Sequence, residues 1–293
     1  MATEKATHPI KTLREHIAAL EAAVDLALAD PHRDPVHRLR TSTRRVEAQL
    51  QLLRLIPNLP DHSEFSRASR KLLRKLRQAA GAVRDLDVQR KLVKEQQALS
   101  PASKQLGKEA SHLRRILKQR RSTEATHLLR ILKKRRKELA PTFEQLLHIL
   151  SPAENIKLSP TGLSQLTLDW YLQTTPARNK DDDPDILHSI RKSAKLARYI
   201  AEAGDGKLAQ KFEALQQAGG TWHDLLTLAH VARKELGVRS PLTQAFTRAR
   251  DNALDGYRHA LMKQDLELPR EYFAAQAPDE PRLQSNYNSV TSA

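Results

Sequence analysis

The sequence predicts an all-α protein made of two related helical units. Leu and Ala recur over long stretches with only 9 glycines in 293 residues, a composition that favours helix. Apolar residues return at helical spacing, and nothing alternates with the period of two that a sheet needs. A distinctive helical face also occurs twice, as His37-x-x-Arg40-x-x-x-Arg44 and as His188-x-x-Arg191-x-x-x-Lys195. Spacing of three and then four residues sets each trio along one side of a helix.

After a loose lead-in ending at Pro9, a helix is expected over residues 13–29, with Leu13, Ile17, Leu20, Val24 and Leu28 as its buried stripe. The turn at residues 30–35 leads to a second helix from about Pro35, a residue well tolerated in a first turn, to about Ile56. Pro57 and Pro60 stop it. A third helix covers 64–79, and Gly81 marks a break or a close helix contact. Further helical segments follow at 87–99, 102–119 and 124–139, with Pro141 opening a short one. Residues 151–160 carry Pro and Ser and read as a linker. Helices resume at 162–172, 186–203, 207–218, 225–236 and 242–261. These assignments give a first unit over 10–150, a second over 160–265, and a polar, Pro-containing tail over 266–293.

A second motif repeats in the same order. Residues 76–87 (LRQAAGAVRDLD) match residues 215–226 (LQQAGGTWHDLL) at six of twelve positions, and both follow the His/Arg helix at a similar interval. Duplication accounts for the order better than chance. Asp85 and Asp224 come shortly after Gly81 and Gly220. Each is expected to cap the helix that follows, or to orient an Arg or His of the repeated face.

Lys and Arg number 50 against 34 Asp and Glu, a formal net charge of +16. Such a surplus costs self-repulsion and usually has an anionic partner. The chain has no cysteine, which excludes disulfides, thiolate metal sites and thiol nucleophiles. Export and membrane-spanning segments are not evident, so a cytoplasmic location without integral membrane association is expected.

On a helical wheel with His37 at zero, Arg44 falls at about 340° and Arg40 at about 300°. Leu39, Val46, Leu50 and Leu53 gather on the opposite side, so the His/Arg face points away from the core stripe. In the second copy Ile190, Ala194 and Ala197 lie opposite His188, Arg191, Lys195 and Tyr199, with Arg198 at the margin. Arg67, Arg70, Arg74 and Arg77 form another basic stripe. Between residues 104 and 137 there are thirteen Lys or Arg and two Glu. There Arg114, Lys118 and Arg121 share one face, as do Arg130, Lys133 and Lys137. Like charges at these intervals cost roughly 0.2–0.5 kcal/mol per exposed pair. A bound polyanion would reverse that cost, because Arg forks hold phosphate oxygens bidentately and Lys supplies a mobile charge. Each stripe taken singly is more often a solvated face, and it is the repeat of the His/Arg motif in a strongly basic chain that favours an anion site.

These words resemble the CHAD family, the conserved histidine α-helical domain. They are residues 37–45 (HRLRTSTRR), residues 83–88 (VRDLDV), residues 187–199 (LHSIRKSAKLARY) and residues 222–226 (WHDLL), and the likeness covers about residues 10–265. The resemblance implies an all-α fold of two pseudo-symmetric antiparallel four-helix bundles from an internal duplication, enclosing a basic central channel. It also implies noncatalytic binding of inorganic polyphosphate without a cofactor, and an association with polyphosphate granules. Carried over by position, the channel residues are His37, Arg40, Arg44, Arg45, His188, Arg191, Lys195 and Arg198. The basic stripes add Arg70, Arg74, Arg77, Arg84, Arg114, Lys118, Arg121, Lys133 and Lys137 as expected polyphosphate ligands. The copies differ where Lys195 stands for Arg44 and His223 for Arg84. Many members follow an N-terminal triphosphate tunnel domain with a Glu-x-Glu-x-Lys signature. Here only Glu4-Lys5 occurs ahead of the first helix, and the hydrolytic activity of that domain is not expected.

Two other functions fit parts of the sequence. Nucleic-acid backbone binding suits the charge, but there is no zinc-finger spacing, no clear recognition helix and little aromatic stacking surface. A metal-dependent phosphohydrolase could recruit His223-Asp224, His37, His188, Asp85 and Asp87, but no HExxH motif or glycine-rich phosphate loop supports one. No metal site is expected.

Overall fold

The computed structural model describes residues 6–99, 101–177 and 183–267. Among them are eight α-helices: α1 (Pro9–Ala29), α2 (Arg33–Leu53), α3 (Ser63–Ala98), α4 (Lys104–Leu150), α5 (Pro160–Thr174), α6 (Pro184–Ala201), α7 (Gly206–Leu236) and α8 (Pro241–Glu267). Within each half, successive helices pack against one another, the arrangement expected of bundles. In the first half α1–α4 pack in succession and α4 closes back on α1, while α5–α8 pack in succession in the second. The halves meet through α2 against α6, with α3 and α4 also reaching α7 and α8. The packing is thus consistent with two helical-bundle halves.

Start signals act where the chain chemistry placed them. Proline opens α1, α5, α6 and α8. Side-chain oxygens of Ser103, Ser159, Asp183 and Asp205 accept the free N–H groups of the first turns of α4, α5, α6 and α7. The expected stops inside the long helices do not occur. α3 runs unbroken through Gly81, and α7 through Gly219 and Gly220. α4 spans 47 residues with Pro141 inside it. A glycine costs about 1 kcal/mol in a helix, and tertiary packing outweighs that here: Leu76, Ala79, Ala80 and Val83 are buried around Gly81, and Leu139, Phe143 and Leu146 around Pro141. Asp85 and Asp224 therefore lie inside helices, and neither is a cap.

The lead-in is also more tied down than expected. Thr7 and Leu158 exchange two backbone hydrogen bonds of 2.9 Å, and the Thr7 hydroxyl donates to the Ala203 carbonyl at 2.7 Å. Thr7 is thereby pinned to the 151–160 linker and to the turn after α6. The tail over 268–293 lies outside the described residues, and α8 extends past the expected end at 261.

The core does not divide at the boundary between the halves. The larger cluster joins Leu39, Val46 and Leu50 of α2 to Ile190, Ala194 and Ala197 of α6. A second cluster packs Val93, Leu113 and Leu117 of α3 and α4 against Leu225, Leu228, Leu242 and Phe246 of α7 and α8. At its edge Glu109 of α4 caps α8: its Oε2 accepts from the Ser240 hydroxyl at 2.7 Å and from Leu242 N–H at 3.1 Å. Burial favours the neutral acid, but hydrogen bonds from Ser240, Gln105 and Leu242 outweigh it and hold the carboxyl below its ordinary pKa. A carboxylate with depressed folded pKa stabilises above the unfolded value and loses that contribution as pH falls through the folded one. Glu109→Ala is expected to cost about 1–2 kcal/mol at neutral pH. In urea unfolding the deficit should shrink in acid, where wild type also loses the ionised cap.

Candidate anion-binding site between the two halves

Because the apolar stripes of α2 and α6 face the shared core, their opposite faces meet over α3 and α7. There a hollow of about 220 Å³ is lined by His37, Arg40, Thr41 and Arg44 of α2, Arg84, Asp85 and Val88 of α3, Arg191, Lys195 and Tyr199 of α6, and Gln216, Gly220 and Asp224 of α7. Four guanidinium groups and the Lys195 amine thus share one small space with two carboxylates. Both copies of the repeated face contribute to it.

The carboxylates hold the cations in place without neutralising them all. Arg40 donates to Asp85 at 2.7 Å, the orienting role that was the alternative to capping. Asp224 favours the charged forms of Arg191 and Arg84 electrostatically. Glu47 accepts from both Arg44 and Arg77, so Arg77 braces the floor beneath Arg44. Several donors at the site are buried and unpaired: Arg44 Nε, Arg84 Nη1 and Arg191 Nε. Native structures leave few such groups unsatisfied.

The electrostatics reflect crowded, partly dehydrated cations. Burial first, and then Arg40, Arg44, Arg191 and Arg198, push the Lys195 ammonium from its ordinary 10.5 down to about 7. Burial and then Arg77 lower Arg44 to about 10. His188 falls to about 4, through burial, then Arg191, His223 and Lys192. His37 is also lowered, by burial and then by Arg84, Arg40 and Lys195. At neutral pH these two imidazoles are therefore uncharged hydrogen-bonding groups. His188 stacks on His223 with ring centroids 4.6 Å apart, and its Nδ1 lies 3.4 Å from Arg191 Nη2, placed to accept from the guanidinium.

Not every expected residue reaches this hollow. His188 stands beside it, behind Arg191. Arg198 is held by Glu202 at 3.2 Å and Glu213 at 3.0 Å, 4.4 Å from the centre of the Tyr199 ring, and exposed Arg45 lies 3.5 Å from Glu202. Arg70 lines a separate hollow with Arg54 and Arg67 at the α2–α3 connection. Arg74, Lys133 and Lys137 are exposed, outside the central hollow. Arg114, Lys118 and Arg121 line a groove between α3 and α4. Thr41, Val88, Gln216 and Gly220 line the central hollow although no charge pattern in the sequence marks them as ligands. Their place within the repeated motifs, one or two turns from Arg44, Arg84 and Asp224, is the signal that could have flagged them.

The chain belongs to the CHAD family: the CHAD domain matches residues 11–233. CHAD domains are noncatalytic regulatory domains. Among solved structures, the fold is similar to PptA from Streptomyces chartreusis, with a TM-score of 0.64 and 17% identity, covering 88% of this chain and 100% of that one. It is also similar to the CHAD domain from the plant Ricinus communis, with a TM-score of 0.60 and 18% identity over 88% and 93% of the two chains. At such identities the likeness speaks to the fold. No curated protein sequence matches the chain. Among the described residues no three His, Cys, Asp or Glu side chains are grouped to hold a metal ion.

Two outcomes test this geometry. A Cβ on Gly219 would lie 2.8 and 2.9 Å from ring atoms of buried Tyr257 and 3.1 Å from Arg191 Cγ, whereas one on Gly220 meets nothing within 4 Å. Gly219→Ala should destabilise by about 1–3 kcal/mol through overpacking, while Gly220→Ala should stabilise by up to about 1 kcal/mol through helix propensity; urea unfolding of the pair reads both signs. Lys195 has a folded pKa below its unfolded one, so the unfolded chain binds more protons between about 7 and 10.5 and stability rises with pH across that window. Lys195→Met should therefore raise the melting temperature most below pH 7, with the gain fading towards pH 10.5.

Proposed function

We propose that this protein binds inorganic polyphosphate without transforming it, in a basic channel between pseudo-symmetric bundles formed by residues 10–150 and 160–265. The observation that carries this reading is the convergence of Arg40, Arg44, Arg84, Arg191 and Lys195 from both halves on a space with only two carboxylates, with guanidinium N–H donors buried and unpaired. A strand of phosphates would supply the acceptors these donors lack, through charge-assisted hydrogen bonds. His37 would add a hydrogen bond at the rim. The proposed role extends to a cytoplasmic protein that associates with polyphosphate granules.

The recessed position of the cations favours a thin, unbranched polyanion over nucleic acid. Proteins that read a duplex present a protruding helix or ribbon to its grooves, whereas here the donors sit between packed helices. The test is a titration with polyphosphates of defined length at two salt concentrations, using wild type, Arg40→Ala/Arg191→Ala, and excess duplex DNA as competitor. Affinity should rise with chain length and fall with salt, survive the DNA, and drop about 100-fold or more in the double variant if each guanidinium contributes a charge-assisted bond. Length-independent binding, or equal displacement by DNA, would refute the assignment.

A further inference from the structure

The α3–α4 groove is larger than the central hollow, about 850 Å³, and is built differently. Arg33, Arg90, Lys94, Arg114 and Lys118 line it, and among the described residues none of the five has an ion-pair partner. Its two carboxylates are already engaged: Asp87 with Arg121 at 2.9 Å and Glu95 with Lys91 at 3.3 Å. Arg121 also donates to the Pro31 carbonyl at 2.8 Å, which fixes the groove wall to the start of α2. Arg90 Nε is buried and unpaired.

The groove and the hollow adjoin along α3. Arg84, Asp85 and Val88 line the hollow, and Asp87, Arg90, Lys91 and Lys94 line the groove. Arg84 feels Arg33 and Asp87 electrostatically, so it stands at the junction. From Arg84 to Lys94 the helix rises about 15 Å, too far for a few phosphates seated in the hollow to reach.

The second half differs along this line. In the repeat, Asp87 corresponds to Leu226 and Arg90 to Ala229, while Arg233 stands where Lys94 does. Ala229 is buried in the second core cluster, and Leu226 is partly buried against the larger one. One side of the central hollow therefore continues directly into cationic surface, whereas the equivalent line on the other half is interrupted by apolar packing at Leu226 and Ala229.

We propose that the α3–α4 groove is a one-sided extension of the central site, which takes the end of a long polyphosphate leaving the hollow past Arg84 and Arg33. The inference rests on the polyphosphate reading and adds to it a direction and a source of length discrimination. A short chain fills the hollow alone; a long one gains groove contacts at high effective concentration.

The experiment compares tripolyphosphate with a polyphosphate several tens of residues long on four full-length proteins: wild type, Lys94→Ala/Arg114→Ala/Lys118→Ala, Arg191→Ala, and a charge control, Lys207→Ala/Lys211→Ala/Arg233→Ala, on α7 outside both hollows. Helicity by circular dichroism verifies folding. The groove variant should lose about tenfold or more for the long chain, keep tripolyphosphate affinity within about twofold, and differ in this from the charge control. Unchanged long-chain affinity, an equal loss for both ligands, or an equal loss in the charge control would overturn the groove. In those cases a loss of both ligands in Arg191→Ala would leave the central site standing. If Arg191→Ala binds both ligands like wild type, the central reading fails, and the extension fails with it.

Discussion

Gathering like charges between α2, α3, α6 and α7 is the constraint on which the rest of this structure depends. Arg44, Arg84, Arg191 and Lys195 are each drawn away from water and towards other cations, and all have lowered pKa values with burial as the largest cause. Such an arrangement opposes folding unless something else binds the helices together. The shared core does so. Leu39, Val46 and Leu50 of α2 share a cluster with Ile190, Ala194 and Ala197 of α6, and burying each large aliphatic side chain contributes on the order of 1.5–3 kcal/mol. Apolar stripes facing inward force the basic stripes to share the opposite space.

Carboxylates tune this arrangement. Asp85, Asp224 and Glu47 are enough to orient Arg40, Arg44, Arg77 and Arg191, and too few to saturate them. A fully paired network would be more stable and would have little left to offer an anion. The protein thus keeps local strain at the site and places its stabilising contacts elsewhere, including the Glu109 cap that ties α4 to α8 across the halves.

The two halves differ in ways that the packing makes intelligible. Arg44 rests on Glu47 and stays a strong cation, whereas Lys195, its counterpart, has no carboxylate among the groups acting most strongly on it and sits near neutrality. Arg84 faces the junction with the groove, while its counterpart His223 stacks on His188. Where α3 carries Asp87 and Arg90, α7 carries Leu226 and Ala229, which pack into the core. The two halves therefore present one strongly charged side and one that is softer.

Helical class, the buried stripes and most of the cations were legible from spacing, because periodicity of 3.6 residues states directly which side chains share a face. Inside the long helices, glycine and proline were poor guides to breaks. Gly81, Gly219, Gly220 and Pro141 weaken a helix locally, but neighbouring turns are held by contacts remote in sequence. Gly219 illustrates the point, since in the fold it lies within α7 and makes room for Tyr257 and Arg191. The sequence by itself determined that two basic faces exist and that each points away from its own core. Only the tertiary structure decided that those faces meet in one hollow, that Arg114, Lys118 and Arg121 belong to a different groove, and that Asp85 orients Arg40 from mid-helix. Those outcomes depend on how α2 seats against α6 and α3 against α4, and such distances between remote segments leave no period in the chain.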